Sequence, residues 1–232
     1  MTLIEKIKLY SNDLMISSDK KEKLNSFLED GFPTIKDEEW KYTSLKKIIS
    51  QNYSIDCTGR DITDREINKH SLGFNNKIIF SDGVLISKPS LSNITISSYS
   101  EFKSKEINSI SKLNYALAKS GYTINVSDNS IINEPIEILF FNTIEGSFSQ
   151  YRNILNIGKS AQVKFIEKVQ NINCATSFTN HFTQINCERN SNIEYNKIQN
   201  NTLKSRLIDS MNVCQKQDSV CNINTLIFGG EF

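Results

Sequence analysis

The chain lacks most features that would mark it at once as an enzyme, an anchored protein or a nucleic-acid binder. No run approaches the roughly 20 apolar residues that a bilayer-spanning helix requires, so no segment reads as one. The first residues, Met1-Thr2-Leu3-Ile4-Glu5-Lys6, place an acid early and have no apolar core of the kind a signal peptide carries. The expected compartment is the cytoplasm. An excess of one charge is also missing: 27 basic and 26 acidic residues leave a net charge of +1, with no sign of the basic footprint of a nucleic-acid binder. Neither G-x-x-x-x-G-K-[ST] nor G-x-G-x-x-G occurs, so any ATP chemistry must come from a partner. The five cysteines (Cys57, Cys174, Cys187, Cys214 and Cys221) form no C-x-x-C pair and no zinc-ligand spacing. An odd count without a secretion signal argues against a disulfide framework. Prolines number three and glycines nine, against abundant Asn, Ile, Lys and Ser, a bias that lowers the weight of any single Asn or Lys.

What is present is an ordinary globular composition, 38% hydrophobic and 23% charged over 232 residues, enough for one large domain or two small ones. Within it, four stretches of the second half align: Pro135-Ile136-Glu137-Ile138, Gln162-Val163-Lys164-Phe165, Asn192-Ile193-Glu194-Tyr195 and Ser219-Val220-Cys221-Asn222. Their second residues are 27, 30 and 27 apart. A repeat of this length marks stacked units, each too small to bury its own apolar face. Because side chains alternate along a strand, the rows stack into one apolar ladder of Ile136, Val163, Ile193 and Val220. A second holds Ile138, Phe165, Tyr195 and Asn222. Between them runs Glu137, Lys164, Glu194 and Cys221, mostly charged and suited to the solvent face. The fold class is mainly β: a parallel β-helix, or solenoid, behind a mainly helical N-terminal region.

Residues 3–30 read as helical, anchored by Leu3, Ile4, Ile7, Leu14, Leu24, Phe27 and Leu28. Asp19 and Glu22 resemble the cap of a second helix, and Gly31 closes it ahead of Pro33. Residues 50–76 have no clear period and read as irregular. Lys77–Phe80 and Val84–Ile86 flank Asp82-Gly83, a hairpin signal. Leu91, Ile94 and Ile96 suggest a further extended piece. Ile107, Ile110, Leu113, Ala116 and Leu117 keep helical spacing, with Gly121 where a C-cap glycine belongs. From Tyr122 the pattern is β, with a turn at Asp128-Asn129. The expected division is a mixed, mainly helical region over 1–121 and the start of the β-helix core over 122–232.

The segment Gly31-Phe32-Pro33-Thr34, Lys36-Asp37-Glu38-Glu39-Trp40-Lys41-Tyr42-Thr43 and Leu45 closely resembles the N-terminal signature of the SufD family, a subunit of the bacterial iron–sulfur cluster assembly complex. Ile79-Phe80-Ser81-Asp82-Gly83-Val84, then Leu113-Asn114-Tyr115-Ala116-Leu117-Ala118 with Gly121, then the β-repeat, agree in order. The resemblance covers essentially the whole chain and implies a helical N-terminal region, a parallel β-helix and a C-terminal helical region. SufB shares the core but differs at the N-terminus. The resemblance also implies a SufB-like β-helix partner, a SufC-like ATPase partner and an iron–sulfur cluster that forms in the assembled complex. Family members are considerably longer, and the later β-helix and C-terminal helices, which carry the SufB contact, a histidine proposed in cluster formation and the SufC dock, have no counterpart here. The chain is therefore expected to be truncated at Phe232, with an uncapped coil that invites a homodimer. No catalytic, cofactor-binding or metal-binding residue carries over, and the expected role is non-catalytic.

The residues that could bear chemistry have simpler readings. Asp37, Glu38 and Glu39 fan apart on a helical turn rather than converging as hard cations require. They suit a helix start after Pro33-Thr34, with Trp40 and Tyr42 giving apolar area to the β-helix or a partner. Cys187 and Cys214, 27 apart, fall in one column with Ile157 and read as a buried apolar ladder, since a buried free cysteine behaves as a small hydrophobe. Cys221 falls in the outward ladder and is the better candidate for a reactive thiol, though nothing adjacent in sequence lowers its pKa. His70 and His181 have no Ser or Cys at motif spacing and read as structural or solvated. The alternative functions are a β-solenoid polysaccharide-active enzyme, which needs carboxylates converging on one outer face, and a stand-alone binding module. The outward ladder instead alternates in sign, as cross-coil charge pairing would.

Overall fold

The computed structural model describes residues 1–13, 15–55, 60–99, 108–174 and 176–230. Two helices open it, α1 (Leu3–Asp13) and α2 (Ser18–Asp30). Leu3, Ile7, Leu24 and Phe27 are buried as their spacing requires, with Ile4 and Leu28 at the edge of the same cluster; Leu14 lies outside the described residues. The cap of α2 is Ser17, which accepts from the Lys20 N–H, and not Asp19 with Glu22. A hydroxyl on the extended residue just outside the helix reaches the free N–H groups that a carboxylate inside the first turn cannot. Gly31 closes α2 at φ 72, donating to the Phe27 carbonyl at 2.7 Å.

The acidic stretch does not begin an α-helix. It forms a 3₁₀ turn at Glu38–Trp40, pinned by the Asp37 carboxylate accepting from the Thr34 N–H at 2.7 Å. Two short helices follow, α3 (Lys46–Ile49) and α4 (Asp64–His70). The presence of α4 corrects the irregular reading of 50–76. α4 is set by a capping box in which Thr63 and Glu66 bond reciprocally, at 3.3 and 3.0 Å. It buries only Ile67, too little for a visible period.

β1 (Lys77–Ser81) and β2 (Val84–Ser87) form the hairpin, with Asp82 at φ 41 and Gly83 at φ 95 supplying the two left-handed positions of its turn. β3 (Ile94–Ser98) is the further extended piece. α5 (Ser109–Leu117) follows; Ile107 lies outside the described residues. Helix α5 ends at Ala118, so Gly121 is not its cap. Gly121 adopts φ 140, and a Cβ there would sit 2.0 Å from the Arg152 carbonyl oxygen. The chain passes this close as it enters the first coil.

The coils are β4 (Tyr122–Val126), β5 (Ile136–Asn142), β6 (Ser147–Ile157), β7 (Gln162–Asn171), β8 (Thr176–Cys187), β9 (Asn192–Asn200), β10 (Lys204–Gln215) and β11 (Val220–Gly229). They stack into two sheets of order β11-β9-β7-β5-β1-β2 and β10-β8-β6-β4-β3. From β4 onward each strand pairs in parallel with the one two places on. The fold is a β-solenoid of about four turns behind a short helical region. Its interior is filled by Ile136, Phe140 and Phe165 from one sheet and Tyr122, Tyr151 and Ile185 from the other. The α1, α2 and α5 cluster packs with Tyr53 onto Phe148 and Phe178, outside the second sheet.

Each coil turns one corner through a left-handed residue: Asn129, Ser160, Asn190 and Asp218, at φ 58, 54, 58 and 58. These corners stack, Asn129 donating to Lys159, Ser160 to Arg189 and Asn190 to Gln217.

Only the middle rung of the sequence ladders keeps its spacing. Val163, Lys164 and Phe165 lie beside Ile193, Glu194 and Tyr195, and Lys164 pairs with Glu194 at 2.8 Å on the outer face. In the first rung Ile136 lies beside Phe165, not Val163. Ile131 bridges Gln162, so this coil carries two extra residues before β5, next to Pro135, which has no N–H to give a ladder. A shift of two keeps the faces, so Glu137 still points outward, but the Ser71–Leu72 segment covers it. Glu137 is fully buried, accepting from the Ser71 hydroxyl at 2.6 Å and the Leu72 N–H at 2.7 Å. In the last rung Val220 lies on Asn192 and Cys221 on Ile193. A slip of one residue exchanges the faces: Val220 is exposed, Asn222 joins the outer Glu194 column, and Cys221 turns to the interior cluster. The same slip puts Gln215, not Cys214, beside Cys187.

Candidate functional site

The inward face of β7 runs Val163, Phe165, Glu167, Val169, and that of β9 runs Ile193, Tyr195, Lys197. Strand alternation thus carries a carboxylate and an ammonium into the solenoid, in register with each other. From the opposite sheet, Tyr151, His181 and Asp209 form a column on β6, β8 and β10. The two columns meet. Lys197 Nζ lies 3.2 Å from Glu167 Oε1 and also contacts the Asp209 carboxylate. Tyr195 donates to Glu167 Oε2 at 2.5 Å, and its hydroxyl is 3.0 Å from that of Tyr122. His181 Nδ1 stands 3.5 Å from Glu167 Oε1, its ring 4.5 Å from Phe140 and 4.9 Å from Tyr151.

Glu167, His181 and Lys197 are almost wholly removed from solvent. Burial alone would raise the Glu167 carboxyl, but the Lys197 ammonium and the hydrogen-bond donors around it outweigh that and hold it below its ordinary value. Burial likewise works against the Lys197 charge, and the Asp209 and Glu167 carboxylates reverse it, so the ammonium is held above its usual range. Tyr122 and Tyr195 are pushed well up by burial and by the Glu167 charge. The ionised pair with two neutral phenols is the stable state. A cavity of about 280 Å³ lined by Glu167, Lys197, Gln199, Leu207, Asp209 and Thr225 gives the pair one open side.

His181, for which the sequence left a structural or a solvated reading open, is a core histidine placed against a carboxylate. His70 is half-buried at the end of α4, edge-on to Phe141. Asp37, Glu38 and Glu39 remain on the surface turn. Among the described residues no three His, Cys, Asp or Glu side chains gather as a metal site. Cys187 is buried as expected, whereas Cys214 is exposed on the other face of β10 and Cys221 is half-buried. Cys57 lies outside the described residues. Glu167 and Lys197 were missed in sequence, although continuing the middle rung by two residues stacks them 30 apart.

Residues 4–71 match the model of the SufBD protein N-terminal region. Residues 140–232 match the SufBD core domain of SUF-system FeS cluster assembly. The chain belongs to the SufBD family. That family's role in Suf iron–sulfur cluster assembly extends to it. No curated protein matches the chain. The whole interior charge network except Tyr122 and its contacts lies within the SufBD core match, and the Trp40 turn lies within the N-terminal one. No helix among the described residues is long and apolar enough to cross a membrane.

Proposed function

We propose that the chain is a non-catalytic, SufD-like scaffold subunit of the Suf machinery, acting in the cytoplasm with a SufB-like β-helix subunit and a SufC-like ATPase. The observation that carries this is the pair of SufBD matches, N-terminal region and core, in their family order on one chain. In this reading residues 1–121 are the N-terminal region and 122–232 belong to the β-helix core. The SufD assignment over SufB rests on the tryptophan signature. Phe32 of that signature is buried edge-on to Phe27 at 5.1 Å, and Trp40 leans on the helical cluster. Tyr42 is 93% exposed, an aromatic available to a partner. The iron–sulfur cluster is cargo of the assembled complex. ATP hydrolysis belongs to the partner, since the sequence has no phosphate-binding loop. A polysaccharide-active solenoid is not favoured: Glu137 is buried under Ser71 and Leu72, and Lys164 with Glu194 forms a closed ion pair.

Co-purification tests the reading. The full-length gene product that contains these residues is expressed with the SufB-type and SufC-type proteins of its own genome, and at least one is expected to be retained through it. Retention of neither would overturn the assignment. The Tyr42→Ala variant is expected to weaken retention while leaving the circular dichroism spectrum unchanged.

A further inference from the structure

Two thiols that sequence spacing kept apart come together at one corner of the solenoid. Cys187 closes β8 in the interior column that follows Ile157. Cys221 is the second residue of β11 and lies beside Ile193, the second inward position after the Asn190 corner. Both belong to the interior cluster, Cys187 within it and Cys221 packed against it. The two thiols thus flank one corner on successive coils, near enough that each shifts the other's pKa. The pair is unequal in access: Cys187 is 2% exposed and Cys221 is half-buried.

The remaining described thiols have other surroundings. Cys174 donates to the Asn142 carbonyl and accepts from Asn171, both at 3.1 Å. Cys214 is exposed in the Asn186 column, on the face of β10 opposite the one that continues Cys187.

We propose that Cys187 and Cys221 form a reversible dithiol–disulfide site, oxidised by a small-molecule disulfide of the glutathione type. Cys221, the accessible member, attacks as thiolate one sulfur of the small disulfide. A mixed disulfide forms on Cys221, and one small thiolate leaves. Cys187 then attacks the Cys221 sulfur, the mixed bond breaks and the second small thiolate leaves. The protein gives up two electrons and two protons, and the small disulfide becomes two thiols. The neighbouring Cys187 thiol holds the Cys221 thiol below its ordinary value, which favours the first attack. The same proximity, then burial, pushes the Cys187 thiol up, so it keeps its proton until Cys221 is consumed. The product is a covalent link between the end of β8 and the start of β11, joining successive coils across the interior.

The full-length chain is incubated with oxidised glutathione under native conditions and mapped by peptide mass spectrometry without reduction. The expected result is a Cys187–Cys221 linked peptide and loss of two free thiols, both restored by dithiothreitol. Cys187→Ser should instead stop at a stable glutathione adduct on Cys221, and Cys221→Ser should leave Cys187 unmodified. A linked peptide joining Cys214 to either partner overturns the proposal. So does wild-type protein that keeps both thiols free while Cys214 is glutathionylated. The wild-type peptide map decides even if the Cys187 variant fails to fold.

Discussion

Lys197 stands one coil above Glu167 in the β7–β9 ladder, Nζ to Oε1 3.2 Å, and reaches across the interior to Asp209 on the other sheet. Three charges thus sit where neighbouring columns hold Phe, Tyr and Val. Such a cluster contributes little net stability against well-packed apolar residues, yet removing one member strands the others in a low-dielectric interior.

Lys197→Ala should therefore destabilise the fold by about 3–5 kcal/mol. The combined Glu167→Leu, Lys197→Met, Asp209→Leu variant should recover most of that loss. Urea unfolding of the three proteins checks this. Equal losses in the single and combined variants would show that the site depends on shape and not on charge.

Acid should find the same weak point. The folded-state pKa of Glu167 lies below its ordinary 4.5, so its contribution is fully present above that value and is lost as pH falls below it. Unfolding midpoints measured from pH 7 downward should drop more steeply in wild type than in Glu167→Gln over the acid range. Parallel curves would be the contrary result.

Lys164 and Glu194 show the other extreme. Their 2.8 Å pair lies on the outer face, with both side chains substantially exposed. Lys164→Ala should cost at most about 1 kcal/mol, and less at high salt. A cost equal to that of Lys197→Ala would contradict the distinction between inner and outer columns.

The contrast also explains what could be read from sequence. The middle rung kept its 30-residue spacing, so the Val163, Phe165, Ile193 and Tyr195 columns were legible and the solenoid with them. Glu167 and Lys197 were equally within reach, because alternation continues past Phe165 and Tyr195. Charged residues simply do not announce an interior. The outer rungs failed for local reasons. Two extra residues beside Pro135 shifted the register of the first rung, the Ser71–Leu72 segment covered Glu137, and a 28-residue last coil reversed Val220 and Cys221. Period alone cannot see either, because a ladder is fixed by hydrogen bonds between coils and not by likeness of short motifs. α4 escaped because seven residues with one buried side chain give no period, although its Thr63–Glu66 box was visible.

Gly121 gives a steric test. Gly121→Ala would place a methyl group 2.0 Å from the Arg152 carbonyl at a φ of 140. The expected cost exceeds about 3 kcal/mol, combining left-handed strain with backbone displacement. Thermal unfolding of the variant close to wild type would mean that the entry to the first coil is looser than its packing indicates.

The left-handed corners reach beyond this chain. Asn129, Ser160, Asn190 and Asp218 are followed by Ser130, Ala161, Ser191 and Ser219, the first three buried. A residue that tolerates positive φ, followed by a small one, thus recurs once per turn of the solenoid, independent of what the strands carry. That dipeptide works as a milestone. Searching for it at intervals of 28–31 residues would count coils in uncharacterised open reading frames whose strand sequences have drifted past recognition.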